Sequence, residues 1–334
     1  MPVTCSTPAT DWTGPSSSGS DGPVRVLVTG GAGFIGANLC RALSRDDAVD
    51  GVIALDDLST GSPDNLGGVT GVELVEGSIL DSDLLGRILP DCQAVVHLAA
   101  RPSVPRSLAD PLATNEVNIT GTLQVLDAAR LHGGAHVVVA SSSSVYGANP
   151  VLPKAEALTP MPVSPYAVSK LATESYALAY GHSFGLPTLA FRFFNVFGPL
   201  QAPGHAYAAV IPAFLDAALA GRPLPIHGDG LQTRDFTYVG TVCSVLTDAV
   251  LRRVVDPRPV NLAFGTRVSL LEVVALLERE LGHTLERSHT DPRAGDVRDS
   301  QADQTKLREL FPAVEPVPLG EGLRATLDWF GGPR

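Results

Sequence analysis

The chain has 334 residues, of which 44% are hydrophobic and 18% are charged. A single compact core rarely exceeds about 250 to 300 residues, so this length predicts two lobes or one large α/β domain with an appendage. The formal net charge of -11 argues against nucleic acid and anionic membrane surfaces as partners, because both normally require a basic stripe on the protein.

The sequence contains no apolar run of the roughly 18 residues that a membrane span needs. The 4 cysteines are scattered without C-x-x-C spacing, which suits reduced thiols better than a disulfide framework or a zinc site. We therefore expect a soluble, cytoplasmic protein with no protein-bound metal.

In chain order, residues 1–22 come first and are rich in Ser, Thr, Pro and Gly. They have neither a basic start nor an apolar segment, so they predict a disordered tail rather than a signal peptide. From Val24 onward, short apolar runs (VRVLVT, VIALD, VELVE, AVVHLAA, HVVVA) alternate with helical patterns, including a long one from about Pro111 to Leu131. This alternation indicates a parallel sheet covered on both faces, which is a Rossmann-type doubly wound α/β fold.

We expect this domain to cover residues 23–190, with later segments returning to it. After Pro187 the regular pattern loosens into Pro-rich and Gly-rich stretches, followed by helical patterns near 240–253, 269–281 and 319–330. Residues 191–334 are therefore expected to form mainly a smaller C-terminal substrate-binding lobe.

The first predicted strand is followed by T-G-G-A-G-F-I-G, which places Gly30, Gly33 and Gly36 at the opening of a helix. Glycines in this spacing permit a tight turn and a close approach of the backbone to a pyrophosphate. Asp56 follows 20 residues after Gly36, at the position of an acid that binds an adenosine ribose. A carboxylate there repels a 2′-phosphate and no arginine follows in DDLSTG, so the sequence predicts NAD rather than NADP.

A second motif, S-P-Y-A-V-S-K, runs from Ser164 to Lys170. Ser164 is a credible N-cap and Pro165 suits the first helical position, so Tyr166 and Lys170 are expected on one helix face. The lysine ammonium favours the phenolate and is expected to lower the tyrosine pKa from about 10, with a bound nicotinamide acting in the same direction. Tyr166 is therefore predicted to be a base near neutral pH.

The chain resembles the extended short-chain dehydrogenases/reductases, and within them the sugar-nucleotide epimerases and dehydratases. The resemblance rests on the motifs above and on HLAA, NITGT, ASSSSVYG, FRFFNVFGP, GDGLQTRDFTYV and PRAGDVRDSQAD. The resemblance runs from about Val24 to Phe330. It implies that Ser142 is the serine that hydrogen-bonds the sugar O4, that Tyr166 is the base, and that Lys170 also holds the nicotinamide ribose.

The expected sites follow from the motifs and from the resemblance. The expected cofactor-binding residues are Gly30, Gly33, Phe34, Ile35, Gly36, Asp56, Asp57, Ser59, Thr60, Gly61, Ser78, Ile79, Leu98, Ala99, Ala100, Asn118, Ala140, Tyr166, Lys170 and Phe194. The expected substrate-binding residues are Ser103, Ser142, Ser143, Asn195, Val210, Ile226, Arg234, Arg293, Asp296 and Ser300, with Arg298 as a further candidate. The arginines would clamp a diphosphate, because their forked donors suit phosphate oxygens.

The residues after Ser142 separate the possible reactions. In the 4,6-dehydratases of the family, Ser143 and Ser144 are typically replaced by Asp and Glu, and the related decarboxylases usually carry Glu in place of Ser144. Serine has no proton to exchange near neutral pH. The resemblance therefore favours a UDP-hexose 4-epimerase, in which NAD takes a hydride from C4 while Tyr166 takes the O4 proton, and the hydride returns to the opposite face after the keto sugar rotates.

Ser300 aligns with a position that is small in epimerases accepting N-acetylated sugars. We therefore expect UDP-GlcNAc/UDP-GalNAc as substrates, alongside or instead of UDP-Glc/UDP-Gal. One alternative is a 4-epimerase that acts on UDP-glucuronate, with Arg101 or Arg106 near the carboxylate, or on a dTDP-sugar. The others are a 4,6-dehydratase and a non-catalytic NAD-binding regulator. A homodimer through helices at about 111–131 and 166–184 is implied by the resemblance.

Overall fold

The computed structural model describes residues 24–203, 209–291 and 298–332. The first half contains β1 (Val24–Thr29), α1 (Phe34–Leu43), β2 (Val49–Asp56), β3 (Val72–Glu76), α2 (Ser82–Ile88), β4 (Ala94–His97), α3 (Val104–Ala109), α4 (Pro111–Asn115), α5 (Gly121–Leu131), β5 (His136–Ser142), α6 (Pro165–Phe184) and β6 (Thr188–Phe193). The second half contains β7 (Asn195–Phe197), α7 (Val210–Leu219), β8 (Leu224–His227), β9 (Thr233–Arg234), β10 (Phe236–Tyr238), α8 (Val239–Leu251), β11 (Val260–Leu262), β12 (Val268–Ser269), α9 (Leu270–Leu281), β13 (Arg287–Thr290), α10 (Thr305–Leu310) and α11 (Leu319–Gly331).

Seven parallel strands form the central sheet in the order β11-β6-β5-β4-β1-β2-β3. The chain moves outward from β1 to β3 and then crosses back to β4 on the other side of β1. The point between β1 and β4 is therefore a topological switch, where ligands bind at the carboxyl ends of the strands in such sheets. The predicted Rossmann-type doubly wound α/β fold is confirmed.

Helices cover both faces of the sheet, which explains why its strands read as continuous apolar runs. On one face, α1 and α8 bury Leu39 and Leu246 against Val26 and Val28. On the other, α2, α5 and α6 form a second buried cluster that includes Leu85, Val125 and Ala177. The predicted helix near 240–253 is thus α8, a cover of the large sheet.

The helices α7, α9 and α11 of the C-terminal half form a separate core. Phe197, Phe214, Leu277 and Leu323 pack together where α7, α9 and α11 meet β7, β8 and β10. Two segments after residue 187 belong instead to the large sheet: β6, which is buried along its whole length, and β11 beside it. The loosening pattern after Pro187 did not reveal β6.

The long helix predicted from Pro111 to Leu131 is present, but it contains a π-helical turn over Glu116–Thr120. Such turns frequently occur at functional sites. Among the residues that the structure describes, no helix is both long and apolar enough to cross a bilayer.

Candidate active site and nucleotide cradle

The loop between β1 and α1 is so tightly packed that a side chain at Gly30 or Gly36 would clash with neighbouring backbone. Gly30 has a φ of +70°, and a Cβ there would lie 2.8 Å from the backbone nitrogen of Ala99. A side chain at Gly36 would overlap the carbonyl oxygen of Gly30. Gly33 precedes α1 without a side-chain cap, so the N–H groups of Phe34, Ile35 and their neighbours in the first turn suit an anion.

Asp56 ends β2 beside this loop and is largely buried. Its two carboxylate oxygens accept the backbone N–H groups of Ala32 and Leu58, each at 2.9 Å. Burial raises the pKa of Asp56, and these hydrogen bonds oppose the rise. Together with the glycine cradle, a fixed carboxylate at this edge fits the adenosine half of NAD.

The segment after Asp56 forms a turn that contains the next four predicted cofactor-binding residues, Asp57, Ser59, Thr60 and Gly61. Asp57 accepts both the backbone N–H (3.0 Å) and the hydroxyl (2.6 Å) of Ser59. Gly61 packs against the backbone of Ala32, where a Cβ would lie 2.9 Å from the carbonyl carbon. Thr60, between them, is exposed.

The other predicted cofactor residues lie at the carboxyl ends of the neighbouring strands. Ser78 and Ile79 follow β3, and Leu98, Ala99 and Ala100 follow β4. The backbone N–H of Ala99 donates to the hydroxyl of Thr29 at 3.2 Å, which ties the end of β4 to the end of β1. The structure therefore brings these segments to one edge of the sheet, where ligands bind in folds of this kind.

The catalytic motif adopts the expected local structure. The Ser164 hydroxyl caps α6 by accepting the N–H of Ala167 at 3.1 Å, and Pro165 is the first helical residue. Lys170, one turn after Tyr166, donates from Nζ to the carbonyl oxygen of Ala140 at 2.8 Å. Burial lowers the pKa of Lys170 to about 8. The lysine is therefore fixed against the end of β5, two residues before Ser142.

The pKa of Tyr166 differs from the expectation drawn from the sequence. In the protein chain by itself, burial raises the pKa of Tyr166, and a hydrogen bond with Ser142 opposes that rise. The predicted lowering by Lys170 is wrong for the chain alone, since sequence reasoning gave weight to the ammonium and not to desolvation of the phenolate. A positive charge placed beside the phenol, such as that of a bound nicotinamide, would favour the phenolate.

The four consecutive serines have different surroundings. Ser141 is buried and donates to Glu174 Oε2 at 2.7 Å. Ser142, at the end of β5, accepts hydrogen bonds from the backbone N–H of Ser144 (3.1 Å) and from its hydroxyl (2.9 Å). Ser143 starts a short 3-10 helix and is partly exposed.

Sequence reasoning missed a buried ion pair behind this row. Arg192, in β6, forms two hydrogen bonds with Glu174 of α6: Nε to Oε2 at 3.0 Å and Nη2 to Oε1 at 2.6 Å. The guanidinium also lies over the ring of Tyr146, 4.7 Å from its centroid. The available signals were a charged residue inside an apolar strand and a glutamate one turn after Lys170. Buried charges of this kind are normally paired.

Asn118 lies in the π-helical turn, and its amide is engaged by the protein. Its Oδ1 accepts the N–H of Arg101 at 2.7 Å, and its Nδ2 donates to the hydroxyl of Ser169 at 2.9 Å. The structure thus uses Asn118 to join the loop after β4 to α6. Asn118 was predicted as a cofactor contact, and its role in joining these two segments was not predicted.

His97, also missed from the sequence, lies beneath the site between two threonines. Its Nδ1 is 2.8 Å from the hydroxyl of Thr29 and its Nε2 is 3.0 Å from that of Thr122. Burial lowers the pKa of His97 to about 3, so the imidazole is neutral at physiological pH. Because Thr122 donates its own proton to the carbonyl oxygen of Asn118 (2.6 Å), Nε2 must be the protonated ring nitrogen.

Several predicted substrate residues line one cavity of about 240 Å³ beside β7 and β8. Asn195, Val210 and Arg234 contribute to its wall, and so do residues that sequence reasoning missed, among them Gln201, His227 and Gln232. The side chain of Ile226 does not line this cavity: it is fully buried in the core of the C-terminal half. The alternation of β8 explains this correction, since Pro225 and His227 face the cavity.

The arginines that the sequence predicted to bind a diphosphate differ in their surroundings. Arg234 donates from Nη1 to the carbonyl oxygens of Thr233 (2.8 Å) and Arg298 (3.1 Å), and it is partly exposed. Arg298 forms an exposed ion pair with Asp229 at 3.1 Å. Arg293 and Asp296 lie outside the described residues.

Ser300 and Ser103 occupy loop positions. The backbone N–H of Ser300 donates to the carbonyl oxygen of Thr233 at 3.1 Å, which pins this segment to β9 next to Arg234. Ser103 precedes α3 with a φ of 93°, and its hydroxyl accepts the N–H of Arg106 at 3.5 Å. Positive φ in a residue with a side chain is uncommon and tends to occur at functional sites.

Asp235 connects the segments that carry Asn195, Thr266 and Ala302. Its carboxylate accepts the N–H of Ala302 and the hydroxyl of Thr266, both at 2.9 Å. Its carbonyl oxygen accepts the N–H of Asn195 at 3.1 Å. The side chain is fully buried, and burial raises the pKa of Asp235 to about 6. Phe194, predicted beside the nicotinamide, is buried with its ring centroid 6.3 Å from that of Tyr146.

Within the described residues, no group of three or more His, Cys, Asp and Glu side chains could hold a metal ion. Cys40, Cys92 and Cys243 are buried and free.

Comparison with known proteins identifies the family to which this arrangement belongs. The profile of the NAD dependent epimerase/dehydratase family matches residues 26–263. The chain belongs to this family. The resemblance read from the motifs is therefore confirmed, and so is the prediction of NAD as the cofactor.

Individual members of the family cover nearly the whole chain. A UDP-glucose 4-epimerase of Mycolicibacterium smegmatis is 38% identical over 315 residues, which is 92% of this chain and 98% of that protein. The structure of a UDP-N-acetylglucosamine 4-epimerase from Methanobrevibacter ruminantium M1 superposes with a TM-score of 0.86 and 36% identity, covering 92% of this chain and 98% of that one. A UDP-glucuronic acid 4-epimerase from Bacillus cereus, solved with UDP-glucuronic acid and NAD, gives 0.82 and 32%, covering 91% and 98%.

Proposed function

We propose that this protein is an NAD-dependent 4-epimerase of UDP-hexoses. The observation that carries the proposal is the meeting of Ser142, Tyr166 and Lys170 at the end of β5, in a site whose next two residues are serines. Relatives named as 4-epimerases cover more than nine tenths of the chain and support the same reaction.

The protein's own groups divide the work in this reaction. The glycine loop and the first turn of α1 would hold the cofactor's pyrophosphate, Asp56 the adenosine ribose, and Lys170 with Tyr166 the nicotinamide ribose. When bound, NAD supplies a reversible two-electron acceptor for the sugar C4. Tyr166 removes the proton from O4 and later returns it, while Ser142 orients O4 by a hydrogen bond.

The two serines after Ser142 favour epimerisation over elimination. A dehydratase needs an acid and a base that exchange protons with neighbouring sugar carbons, and neither hydroxyl of Ser143 and Ser144 has a suitable pKa. Glu174, which accepts the hydroxyl proton of Ser141, is buried in a bidentate pair with Arg192. It is therefore engaged away from the substrate.

For the sugar, we propose UDP-GlcNAc/UDP-GalNAc, with UDP-Glc/UDP-Gal as further substrates. Ser300 is small, partly exposed and fixed beside Arg234 by its bond to Thr233, so it leaves space for an acetamido group. A uronate is less well served, because the guanidinium of Arg101 already pairs with Asp110 at 3.6 Å.

The test is to incubate the purified protein separately with UDP-GlcNAc, UDP-Glc, UDP-GlcA and dTDP-Glc, and to identify products by anion-exchange chromatography and proton NMR. We expect C4 epimers from the first two, without added NAD if the cofactor is retained on purification. Ser300→Tyr should suppress turnover of UDP-GlcNAc more than that of UDP-Glc. A 4-keto-6-deoxy product, or no epimer from any sugar after NAD is supplied, would refute the proposal.

We also propose a cytoplasmic homodimer. Val168 and Tyr176 are exposed on α6, and Leu112 is exposed on the neighbouring α4, so an apolar stripe faces outward from these packed helices. The buried free thiols suit a reducing compartment. Sedimentation should give about twice the chain mass of 34.8 kDa. Tyr176→Lys should give monomers, while Ser244→Lys, at an exposed position of α8, should not.

A further inference from the structure

Asn261, at the centre of β11, is a fully buried asparagine whose side chain joins three separate segments of the chain. Its Nδ2 donates to the carbonyl oxygens of Lys154 at 2.7 Å and of Asp303 at 3.2 Å. Its Oδ1 accepts the hydroxyl proton of Tyr146 at 2.6 Å. Both amide protons of Asn261 are thus engaged, and each of the three hydrogen bonds has its own proton.

The neighbours of this amide fix the direction in which it points. Main-chain carbonyl oxygens can only accept hydrogen bonds, so the amide nitrogen of Asn261 must face Lys154 and Asp303. Burial raises the pKa of Tyr146 to about 12, so the phenol keeps the proton that it donates to Oδ1. An oxygen in place of Nδ2 would therefore meet two acceptors.

The segment that carries Ser300 pairs with Lys154. The N–H of Lys154 donates to the carbonyl oxygen of Gln301 at 2.7 Å, and the N–H of Asp303 donates to the carbonyl oxygen of Lys154 at 2.9 Å. Because the Nδ2 of Asn261 donates to Lys154 and Asp303 together, it holds the end of this pairing closed. That end lies three residues after Ser300.

The acceptor side of the amide leads to the catalytic serine. Tyr146 is the last residue of a short 3-10 helix that begins directly after Ser142. We call Ser142–Tyr146 the serine turn. On its other side, the ring of Tyr146 is covered by the guanidinium of Arg192, 4.7 Å from the ring centroid. The hydrogen bond from Tyr146 to Asn261 therefore attaches the serine turn to β11 and, through the amide, to the segment of Ser300.

A second anchor of the same segment leads to a different place. Asp235 accepts the N–H of Ala302 with its carboxylate at 2.9 Å, and its carbonyl oxygen accepts the N–H of Asn195 at 3.1 Å. This anchor fixes the segment relative to the nucleotide cavity. Asn261 fixes it relative to the serine turn, so the separation between Ser300 and that turn depends on Asn261.

We propose that Asn261 is a positioning residue that sets the space between the serine turn and Ser300, and thereby the preference between acetylated and non-acetylated sugars. The inference rests on the proposed function for the identity of the sugars, while the attachment of the segment to Asn261 concerns the protein alone. The main chain of Asn261 has a separate role, since its N–H donates to Glu156 Oε1 at 2.8 Å and covers the border of the sheet. A change of the side chain leaves that donor in place.

The experiment uses Asn261→Asp, which keeps the shape of the side chain and an acceptor for Tyr146 but turns an oxygen toward the two carbonyl oxygens. The matched control is Asn149→Asp, which makes the same change of atoms in the loop after the serine turn. There the Nδ2 of Asn149 donates to the carbonyl oxygen of Thr159 at 3.1 Å.

Hydrogen exchange of the holoenzyme, followed by mass spectrometry, gives the first readout. The N–H groups of Lys154 and Asp303 form the pairing that Asn261 holds closed. We expect peptides that contain these two residues to exchange about 10-fold faster in Asn261→Asp than in the native protein, and at native rates in Asn149→Asp.

Steady-state kinetics give the second readout. Asn261→Asp should raise the KM for UDP-GlcNAc about 5- to 20-fold and the KM for UDP-Glc less than about 3-fold, with kcat for both within about 2-fold of native. A residue that only stabilised the fold would lower kcat for both sugars by the same factor, because less of the protein would be active. If Asn261→Asp does not fold, Asn261→Ser takes its place, since it is uncharged and too short to reach both carbonyl oxygens.

The outcomes separate this inference from the proposed function. Native exchange rates in the variant of Asn261, or faster exchange with an unchanged ratio of the two KM values, would overturn the inference. Faster exchange in a protein that epimerises none of the sugars would support the attachment of the segment to Asn261 and refute the proposed function.

Discussion

The catalytic edge (Ser141–Tyr146 with α6) and the nucleotide cradle (Asn195–Gln201, Pro225–Phe236 and the described residues 298–302) treat buried charge differently. Glu174 at the catalytic edge has a cationic partner, Arg192, at 2.6 Å. The donors that reach Asp235 beneath the cradle, from Ala302 and Thr266, are neutral. The edge therefore balances its buried charge with an ion pair, whereas the buried carboxyl group of the cradle is held by neutral donors.

Replacement of Tyr166, the proposed base, should have the largest effect on turnover. It should not affect nucleotide binding in the cradle. Tyr166→Phe should lower kcat by about 10²- to 10⁴-fold, the usual contribution of a general base, while nucleotide affinity stays near native. Turnover of UDP-GlcNAc with UDP binding by calorimetry gives both values. Weakened UDP binding to the same degree would show that the two regions are not separable.

The ion pair at the edge can be broken from one side or removed whole. Arg192→Met leaves Glu174 buried without a cation and should lower the free energy of unfolding by about 3 to 5 kcal/mol. The double variant Glu174→Gln/Arg192→Met should recover most of this loss, because no buried charge remains. Urea denaturation at neutral pH measures both, and equal losses in the two variants would mean that packing, not charge, is responsible.

The cradle should respond to pH through Asp235. Its pKa is raised from 3.8 to about 6 in the folded state, so the folded protein binds the proton more tightly than the unfolded chain. Its contribution to stability is therefore complete below about pH 4 and declines as pH rises through 6, by up to about 3 kcal/mol in total. Asp235→Asn cannot titrate.

The free energy of unfolding of the native protein minus that of Asp235→Asn should consequently fall between pH 4 and 6 and level off above it. Denaturation series at several pH values, with both proteins under the same buffer conditions, measure this difference. A difference that increases with pH would show that Asp235 is stabilised as the ion after all.

The smallest expected effect concerns Arg234 in the cradle and the KM for the nucleotide sugar. Arg234→Gln should raise KM for the nucleotide sugar about 10- to 100-fold with kcat little changed, since a charge-assisted hydrogen bond is worth about 1.5 to 3 kcal/mol. Arg267→Gln, whose native side chain pairs with Asp299 at 3.2 Å, is the matched control and should change KM less. A loss in kcat alone would place Arg234 with the catalytic edge.

Short-range patterns in the sequence were sufficient for the fold class, the glycine loop, the cap of α6 and the placement of Tyr166 and Lys170 one turn apart on α6. These features depend on residues that are close together in the chain, where backbone geometry fixes the result. The predicted helices near 269–281 and 319–330 correspond to α9 and α11 for the same reason.

Features that depend on distant contacts were missed or reversed. The partner of Glu174 comes from another element of the sheet, and the burial that raises the pKa of Tyr166 comes from all the elements packed around it. Ile226 was expected to bind substrate, but its side chain lies in the core of the C-terminal half, and the face to which a strand residue points is known only once the register is known. The positions of Asn118 and His97 likewise required the tertiary structure.

The place of β11 at the border of the large sheet has a consequence for synthesis on the ribosome. Val260–Leu262 pairs with Phe191–Phe193, so the border of β6 is covered only after the segment that contains β7 to β10, α7 and α8 has been translated. Until then, a strand that is buried on both faces in the folded protein presents unpaired backbone groups, the arrangement from which intermolecular strand pairing begins. Nascent chains that pause between residues 200 and 260 should therefore be the form of this protein that most depends on chaperones.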